Sequence, residues 1–199
     1  MKKLIAMLLA LTMLFSGMAL AEAAQETATV TFDFGDFTME LDPEIQGELL
    51  ERNENETFFT IYPAYTINGD EASNINGVWN SAVYDFTEYE DEEKGKAFAE
   101  ELMNTVLSGY EEAGMKTENE QLLLASVFDQ DGVAGFVIVY QADVDYSGIG
   151  YDLQVTLIQE QAYLSDAAFG TYIFTATAED MDTLLNILTP ALDTIRWKR

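Results

Sequence analysis

The sequence predicts an α+β fold in which an antiparallel β-sheet is flanked by two main α-helices. Apolar and polar residues alternate over several short stretches, and only two stretches have helical periodicity. Strands and helices do not alternate along the chain as parallel βαβ units require. Without its first 21 residues the chain has 178, a length that suits one domain, and we expect that domain over residues 29–199.

The C-terminal part of the sheet is predicted to be a four-strand meander. Its strands are expected over residues 122–128, 133–144, 151–163 and 169–177. Asp131-Gly132 lies between the first two, and a two-residue loop of residues that tolerate positive φ is a strong hairpin signal. Residues 135–140 are apolar on both faces, which predicts a central strand covered on both sides.

The N-terminal part is predicted to contain a hairpin with a Gly35-Asp36 turn, ended by Pro43. A polar loop over residues 63–78 follows later, and loops of this length are usually functional or mobile. The expected elements are the hairpin over residues 32–41, one or two helical turns over 44–50, and strands over 57–62 and 79–86.

Two amphipathic helices complete the prediction. The apolar stripe of the first, over residues 91–113, consists of Phe98, Leu102, Val106 and Tyr110, widened by Met103 and Leu107. Thr177 is expected to cap the second helix, which buries Met181, Leu184, Leu185, Leu188 and Leu192. Pro190 should kink or break this helix near Thr189.

The N-terminus has the features of a secretory signal peptide over residues 1–21. Two lysines precede a twelve-residue apolar core, which is shorter than the roughly 20 residues that span a bilayer. Ala19-Leu20-Ala21 supplies the small residues of a cleavage site. We expect cleavage after Ala21, with residues 23–24 as the alternative, and a disordered leader over residues 22–28.

The chain contains no cysteine, so it has neither a disulfide nor a residue for N-terminal lipidation. We therefore expect a secreted or extracytoplasmic protein, not a lipoprotein, without membrane insertion after signal cleavage. Burial, or burial plus a bound ion, must stabilise the fold. This combination is typical of bacterial exported proteins.

The net charge of −27 becomes −29 once Lys2 and Lys3 are removed with the signal peptide. Such a charge excludes nucleic acid and anionic membrane surfaces as partners. It most simply keeps an exported protein soluble. Alternatively, local carboxylates bind divalent cations, or the surface docks on a cationic partner.

Histidine is absent as well, which removes Ser-His-Asp and Cys-His catalysis and the usual zinc ligands. No nucleophile elbow and no phosphate-binding glycine loop is present, so no cofactor is expected. Paired carboxylates could still hydrolyse glycosides, but 36 acidic residues supply many pairs by chance. We expect a protein that is not an enzyme.

Two groups of residues are candidates for binding. Asp129, Asp131, Asp143 and Asp145 flank two turns and are candidate calcium ligands, although plain hairpin turns explain them more simply. Tyr62, Tyr65, Trp79 and Tyr84 flank the long loop and, if exposed, would stack on a sugar or a peptide. Their strand positions favour the core instead.

The C-terminal half resembles the PsbP/Mog1-like superfamily. The residues that carry the resemblance are 161–163, 170–176, the Glu179-Asp180 pair and 184–195, and the hairpin and lone helix also fit that topology. The resemblance implies an antiparallel sheet between helices, and the roles of the superfamily range from photosystem accessory subunits to a small-GTPase partner. Many bacterial members are exported proteins or lipoproteins of unknown role, and none of the family's binding residues can be placed on this chain.

Three hypotheses follow. The first is an exported, non-catalytic domain that binds a protein or small ligand at the bacterial envelope or outside the cell. The second is a calcium-binding accessory protein, for which calcium titration calorimetry is the discriminating measurement. The third is a carboxylate-based hydrolase, which needs two acids converging in a cleft.

Signal cleavage is directly testable. When the full chain is expressed in a bacterium, we expect the exported form to begin at Glu22, because Ala19 and Ala21 fit the small pockets of signal peptidase. Intact-mass measurement of the exported protein gives the cut site. Replacing Ala21 with Arg should leave the precursor uncut, and a precursor that stays full length without that substitution would contradict the prediction.

Overall fold

The computed structural model describes residues 29–41, 45–52, 56–63 and 73–198; for Val30 and for residues 45–52 and 56–63 it describes the backbone alone. The strands within these ranges are β1 (Val30–Asp33), β2 (Phe37–Leu41), β3 (Ile45–Arg52), β4 (Glu56–Pro63), β5 (Asn74–Asn80), β6 (Lys116–Gln130), β7 (Val133–Asp145), β8 (Gln154–Asp166), β9 (Gly170–Ala178) and β10 (Arg196–Trp197). Helix α1 is Glu92–Glu112, and helix α2 spans residues 181–193. Short 3-10 turns occupy Thr87–Glu90 and Tyr146–Ile149.

The strands form two sheets. The larger has seven antiparallel strands in the order β3-β4-β5-β9-β8-β7-β6, and the smaller has three in the order β1-β2-β10. The predicted four-strand meander is confirmed as β6 to β9. The predicted N-terminal hairpin is also confirmed, but it belongs to the smaller sheet, where β10 pairs with β2.

The larger sheet is the middle of three layers. Helix α1 packs on one face, against Phe136, Ile138 and Tyr140 of β7. The smaller sheet and α2 cover the other face, where they bury Tyr172 and Phe174 of β9. The fold is therefore the predicted α+β class with an antiparallel sheet and two main helices.

Strand β8 is the most completely buried part of the sheet. All nine residues from 157 to 165 are buried, because neighbouring strands and both outer layers cover them. The predicted central segment, residues 135–140, is an interior part of β7 but not the middle of the sheet. Strands β3 to β5 extend the sheet beyond β9, so β9 occupies the middle.

The predicted Asp131-Gly132 turn is confirmed. Asp131 has φ +54° and Gly132 has φ +78°, the left-handed pair that a two-residue hairpin loop requires. The next strand was predicted to start too early. Tyr151 and Leu153 precede β8 and are exposed, because the 3-10 turn after β7 displaces the first residue of the pairing to Gln154.

Two predicted N-terminal elements are wrong. Residues 44–50 are not helical turns, since residues 45–52 form β3 and pair with β4 in antiparallel register. The strand predicted over residues 79–86 ends at Asn80. The Asn80 side chain accepts a hydrogen bond from the Ala82 N–H (3.0 Å), and this turn takes the backbone out of the sheet.

Helix α1 begins after Asp91, whose carboxylate accepts a hydrogen bond from the Lys94 N–H. Its buried residues are Gly95, Ala99, Met103 and Leu107. Of the predicted stripe, Met103 and Leu107 are buried, whereas Phe98, Leu102, Val106 and Tyr110 lie beside this line and are only half-buried. Gly95 packs against the preceding 3-10 turn: a Cβ there would lie 2.7 Å from the Tyr89 carbonyl oxygen.

Helix α2 buries Leu184, Leu188 and Leu192 as predicted, but Leu185 is exposed. The helix is capped by Asp180, not by Thr177. The Asp180 carboxylate accepts a hydrogen bond from the Thr183 N–H (2.7 Å), while Thr177 is still part of β9. The helix irregularity that Pro190 predicts is confirmed, and it lies one turn before the proline. Leu184–Leu188 is π-helical, with the Thr189 N–H bonded to the Leu184 carbonyl, because Pro190 has no N–H to continue the α-helical pattern.

Some predictions concern residues outside the described ranges: the signal peptide, its cleavage site, the leader, and residues 64–72 of the long loop. The loop predicted over residues 63–78 is wrong at its ends, because Pro63 belongs to β4 and residues 74–78 belong to β5, which pairs with β9. Within the described ranges, no helix has both the length and the apolarity needed to cross a membrane.

Two glycines of α1 provide a matched test of packing. Replacing Gly95 with Ala should destabilise the fold by about 1–3 kcal/mol, because the new methyl group collides with the Tyr89 carbonyl. Replacing Gly109 with Ala should stabilise it by up to about 1 kcal/mol, since nothing lies within 4 Å of that position. Urea unfolding of both variants measures the difference, and equal effects would contradict the described contact.

Candidate functional site

A groove of about 330 Å³ lies where the end of β5 meets the β8–β9 turn. Most of its lining residues are apolar in type, with one carboxylate and one hydroxyl group, although polar atoms make up the larger part of its exposed surface. The lining residues are Asp36, Trp79, Ser81, Val83, Ala167, Ala168, Phe169 and Gly170. Three separate parts of the chain therefore build it: the β1–β2 turn, the segment that follows β5, and the β8–β9 turn.

Trp79 is held in place by a hydrogen bond across the groove. Its half-buried indole donates from Nε1 to the carbonyl oxygen of Phe169 at 2.5 Å. The ring of Phe169 in turn stacks on Trp197, with centroids 4.4 Å apart and planes 10° apart. The aromatic wall of the groove is thus continuous with the core beneath the smaller sheet.

The Asp36 carboxylate, the charged group of the groove, is also held in position by a hydrogen bond. The Asp36 carboxylate accepts a hydrogen bond from the Tyr172 hydroxyl at 2.7 Å, and the backbone carbonyl of Asp36 accepts one from the Lys198 N–H at 2.8 Å. Tyr172 is buried in β9. The β1–β2 turn is thereby fastened to the larger sheet, and the carboxylate is placed at the groove wall.

The segment after β5 presents apolar side chains to solvent. Val83 is 57% exposed and Tyr84 is 48% exposed. The backbone that carries them is fastened, since the Tyr84 N–H donates to Ser165 Oγ and the Thr171 hydroxyl donates to the Ala82 carbonyl, both at 2.8 Å. Exposed apolar side chains on a fixed backbone are suited to contact another molecule.

Gly170 allows the β8–β9 turn to approach this segment closely. Its φ is +90°, and a Cβ there would lie 2.5 Å from the Asn80 carbonyl oxygen. Any other residue would meet both backbone strain and a collision. The separation of the groove walls therefore depends on glycine at this position.

The predicted aromatic candidates are only partly brought together. Trp79 lines the groove and Tyr84 follows the lining residue Val83, whereas Tyr65 and the side chain of Tyr62 lie outside the described residues. Sequence reasoning missed Asp36 and Phe169. Asp36 was assigned only to a turn, and Phe169 was taken as the start of a strand.

The first pair of calcium candidates belongs to the β6–β7 turn. The Asp129 carboxylate accepts a hydrogen bond from the Gly132 N–H at 2.9 Å, which stabilises the turn. The Asp131 carboxylate accepts one from the Trp197 N–H at 3.3 Å, which ties the turn to β10.

The second pair lies at the other end of β7. The Asp143 carboxylate accepts hydrogen bonds from Thr156 and Asn119, which hold its pKa below the ordinary value. The Asp145 carboxylate accepts one from the Ser147 N–H at 2.8 Å. Asp129 pairs with Ala134, which lies nine residues along β7 from Asp143, or about 30 Å, so the four carboxylates do not form one ligand set. In the described part of the chain, no three acidic side chains are grouped as a metal site would require.

A buried carboxylate lies on the opposite face of the sheet from α1. Glu160 of β8 is 9% exposed and accepts a hydrogen bond from the Thr189 hydroxyl at 2.5 Å. Burial raises its pKa, and the nearby negative charge of Asp193 adds to this, while the bond from Thr189 opposes it. Glu160 lies under α2, of which Asp193 is the last residue, and neither acid lines the groove.

Comparisons with known proteins show a similarity in fold but none in sequence family. No protein-family model matches it, and no curated protein matches it in sequence. Among solved structures, it is similar to cyanobacterial PsbP (CyanoP) from Synechocystis sp. PCC 6803, with a TM-score of 0.56 and 11% identity over 92% of this chain and 99% of that chain. The Ran-binding protein Mog1p of Saccharomyces cerevisiae matches with a TM-score of 0.48 and 13% identity over 86% of this chain and 96% of that chain.

The chain has a PsbP/Mog1-like fold. The predicted resemblance is thereby confirmed at the level of the fold, on the nearly complete coverage of the PsbP chain. At this identity the likeness concerns architecture alone.

The Glu160 carboxylate makes a pH-dependent contribution to stability that can be measured. Because its pKa is raised in the folded state, the folded protein binds the proton more tightly than the unfolded chain. Stability should therefore fall as the pH rises from the ordinary value of 4.5 through the folded pKa. Replacing Glu160 with Gln should raise the melting temperature at pH 7 and flatten this dependence.

Glu120, which is exposed, supplies the control. Glu120→Gln should leave the dependence of melting temperature on pH unchanged. If Glu160→Gln and Glu120→Gln gave the same profile, Glu160 would not be buried as described.

Proposed function

We propose that this chain is an exported, non-catalytic α+β domain that binds a ligand in the groove beside Trp79. One observation carries the proposal: apolar side chains remain exposed on a backbone that hydrogen bonds hold in place. This surface is already ordered when the protein folds, so binding a ligand loses little further conformational entropy. The ligand can be a protein segment or a small molecule.

The chemistry of the groove favours a ligand with an apolar group beside a hydrogen-bond donor. Trp79 and Phe169 offer aromatic surface, and Val83 extends it toward solvent. The Asp36 carboxylate and the Ser81 hydroxyl stand among these side chains and can accept hydrogen bonds from an amine, a guanidinium or an amide. A peptide segment with an aromatic or aliphatic side chain next to a basic one has both features.

Binding without catalysis is supported by the residue types present. The sequence has no histidine and no cysteine, and Asp36 is the one titratable side chain in the described groove lining. One titratable side chain does not supply the separate acid and base groups that two-group catalysis uses. Export is supported by the signal-peptide features of residues 1–21 and by the strong negative charge.

The groove is tested with a random-peptide library displayed on phage and selected against the full chain. Enriched peptides should combine an apolar side chain with a basic one. Val83→Asp should weaken their binding about tenfold or more, because it places a charge where apolar surface is covered. Fluorescence titration of a synthetic enriched peptide gives the dissociation constant.

Leu185 of α2 offers a matched control, since it is also an exposed apolar side chain and lies outside the groove lining. Leu185→Asp should leave peptide binding unchanged. Selected peptides that bind the Val83→Asp protein as tightly as the unaltered chain would overturn the assignment of the groove as the ligand surface.

A further inference from the structure

A second exposed apolar surface lies at the end of the larger sheet opposite the groove. It belongs to the connection between β7 and β8, where Ile149 is 42% exposed, Tyr151 65% and Leu153 50%. The groove adjoins the β8–β9 turn, so the length of β8 separates the two surfaces, about 40 Å. We call these three side chains the apolar tip.

The apolar tip is carried by a fixed loop. The Tyr146 N–H donates to the Leu153 carbonyl at 2.9 Å, and the Tyr151 N–H donates to the Tyr146 carbonyl at 3.3 Å. The Asp145 carboxylate caps the 3-10 turn through the Ser147 N–H. The loop thus closes on itself, with the three apolar side chains left at its surface.

The same loop is packed against the C-terminal end of α1. A Cβ built on Gly114 would lie 3.3 Å from the Ile149 side chain, and one built on Gly148 would collide with the Gly114 carbonyl. These contacts fix the apolar tip relative to α1. The residues at the end of that helix are therefore neighbours of the tip.

Acidic residues are concentrated at the end of the larger sheet that carries the apolar tip. They come from α1, from the paired ends of β6 and β7, and from the loop itself. They are Glu111, Glu112, Glu118, Asp143, Asp145 and Asp152. In the described part of this end of the sheet, Lys116 supplies the basic charge, 3.9 Å from Asp145.

The negative charge is particularly unfavourable at the end of α1. The last turn contains Glu111 and Glu112 and no basic residue. A helix C-terminus already carries the negative end of the helix dipole, so carboxylates there are repelled by it. A cationic group of another molecule would relieve this repulsion.

We infer that the apolar tip and its acidic surroundings form a docking surface for a basic amphipathic segment of a partner protein. The apolar side chains of the segment would cover Ile149, Tyr151 and Leu153. Its lysine or arginine side chains would lie over the carboxylates of Asp152 and the α1 terminus. Charge complementarity favours a basic partner over a second copy of this chain, because two chains of net charge −27 would repel each other.

The test uses the full chain, isotope-labelled for NMR, and a synthetic amphipathic helical peptide of leucine and lysine. Chemical-shift changes should concentrate at residues 145–153 and at the end of α1. The double substitution Tyr151→Ser with Leu153→Ser should raise the dissociation constant about tenfold or more. Added salt should weaken binding, and a peptide with glutamate in place of lysine should not bind.

Leu124→Ser is the control, because Leu124 is an exposed apolar side chain of β6 that pairs with Val139 and belongs neither to the apolar tip nor to the groove lining; it should not change the dissociation constant. Since this inference is independent of the groove, failure of one assignment leaves the other standing. Three results would overturn it: no binding of the lysine peptide, shift changes spread over the acidic surface, or an unchanged dissociation constant for the double variant. Equal melting temperatures of all variants show that each remains folded.

Discussion

The burial of β8 on both faces is the constraint on which the rest of the structure depends. Three consecutive polar residues, Gln159, Glu160 and Gln161, lie in the buried part of this strand, and burying them is costly unless each finds a partner. Tyr140 and Tyr163 donate to the two glutamines on the α1 side, while Thr189 of α2 donates to Glu160 on the other. A shift of one residue would move every side chain to the opposite face. The polar partners thus specify the register of the meander.

This buried sheet explains how an acidic chain without disulfides presents apolar surface in defined positions. Two separate apolar cores hold the outer layers on the sheet: one beneath α1, the other beneath the smaller sheet and α2. The long paired strands of the larger sheet hold the segments at both of its ends in fixed positions. At one end Trp79 belongs to the paired end of β5, and at the other end Tyr151 belongs to a loop whose backbone is hydrogen-bonded. Binding at either end would therefore need little ordering.

Much of the fold could be predicted because turn chemistry and alternation act locally. Asp131-Gly132 adopts positive φ at both residues as expected, and β6 to β9 follow in the predicted order. The candidate site was harder to predict from the sequence than the fold. Trp79 and Tyr84 were singled out as aromatic residues near a polar loop, but Phe169, which bonds Trp79 from 90 positions away, could not be recognised. Contacts between distant parts of the chain leave no periodic signal in either part.

By itself, the sequence determined which residues share a face, where the hairpins turn, and which chemistries lack their residue types, because these depend on side-chain identity and local spacing alone. The tertiary structure decided which strands are neighbours. It placed the N-terminal hairpin in a sheet with Arg196–Trp197, made β9 the middle strand, and turned residues 45–52 into a strand. It also decided that position 95 must be glycine, because the Tyr89 carbonyl lies there. Pairing of distant strands and close backbone approach are set by the whole packing arrangement, which no local window of residues contains.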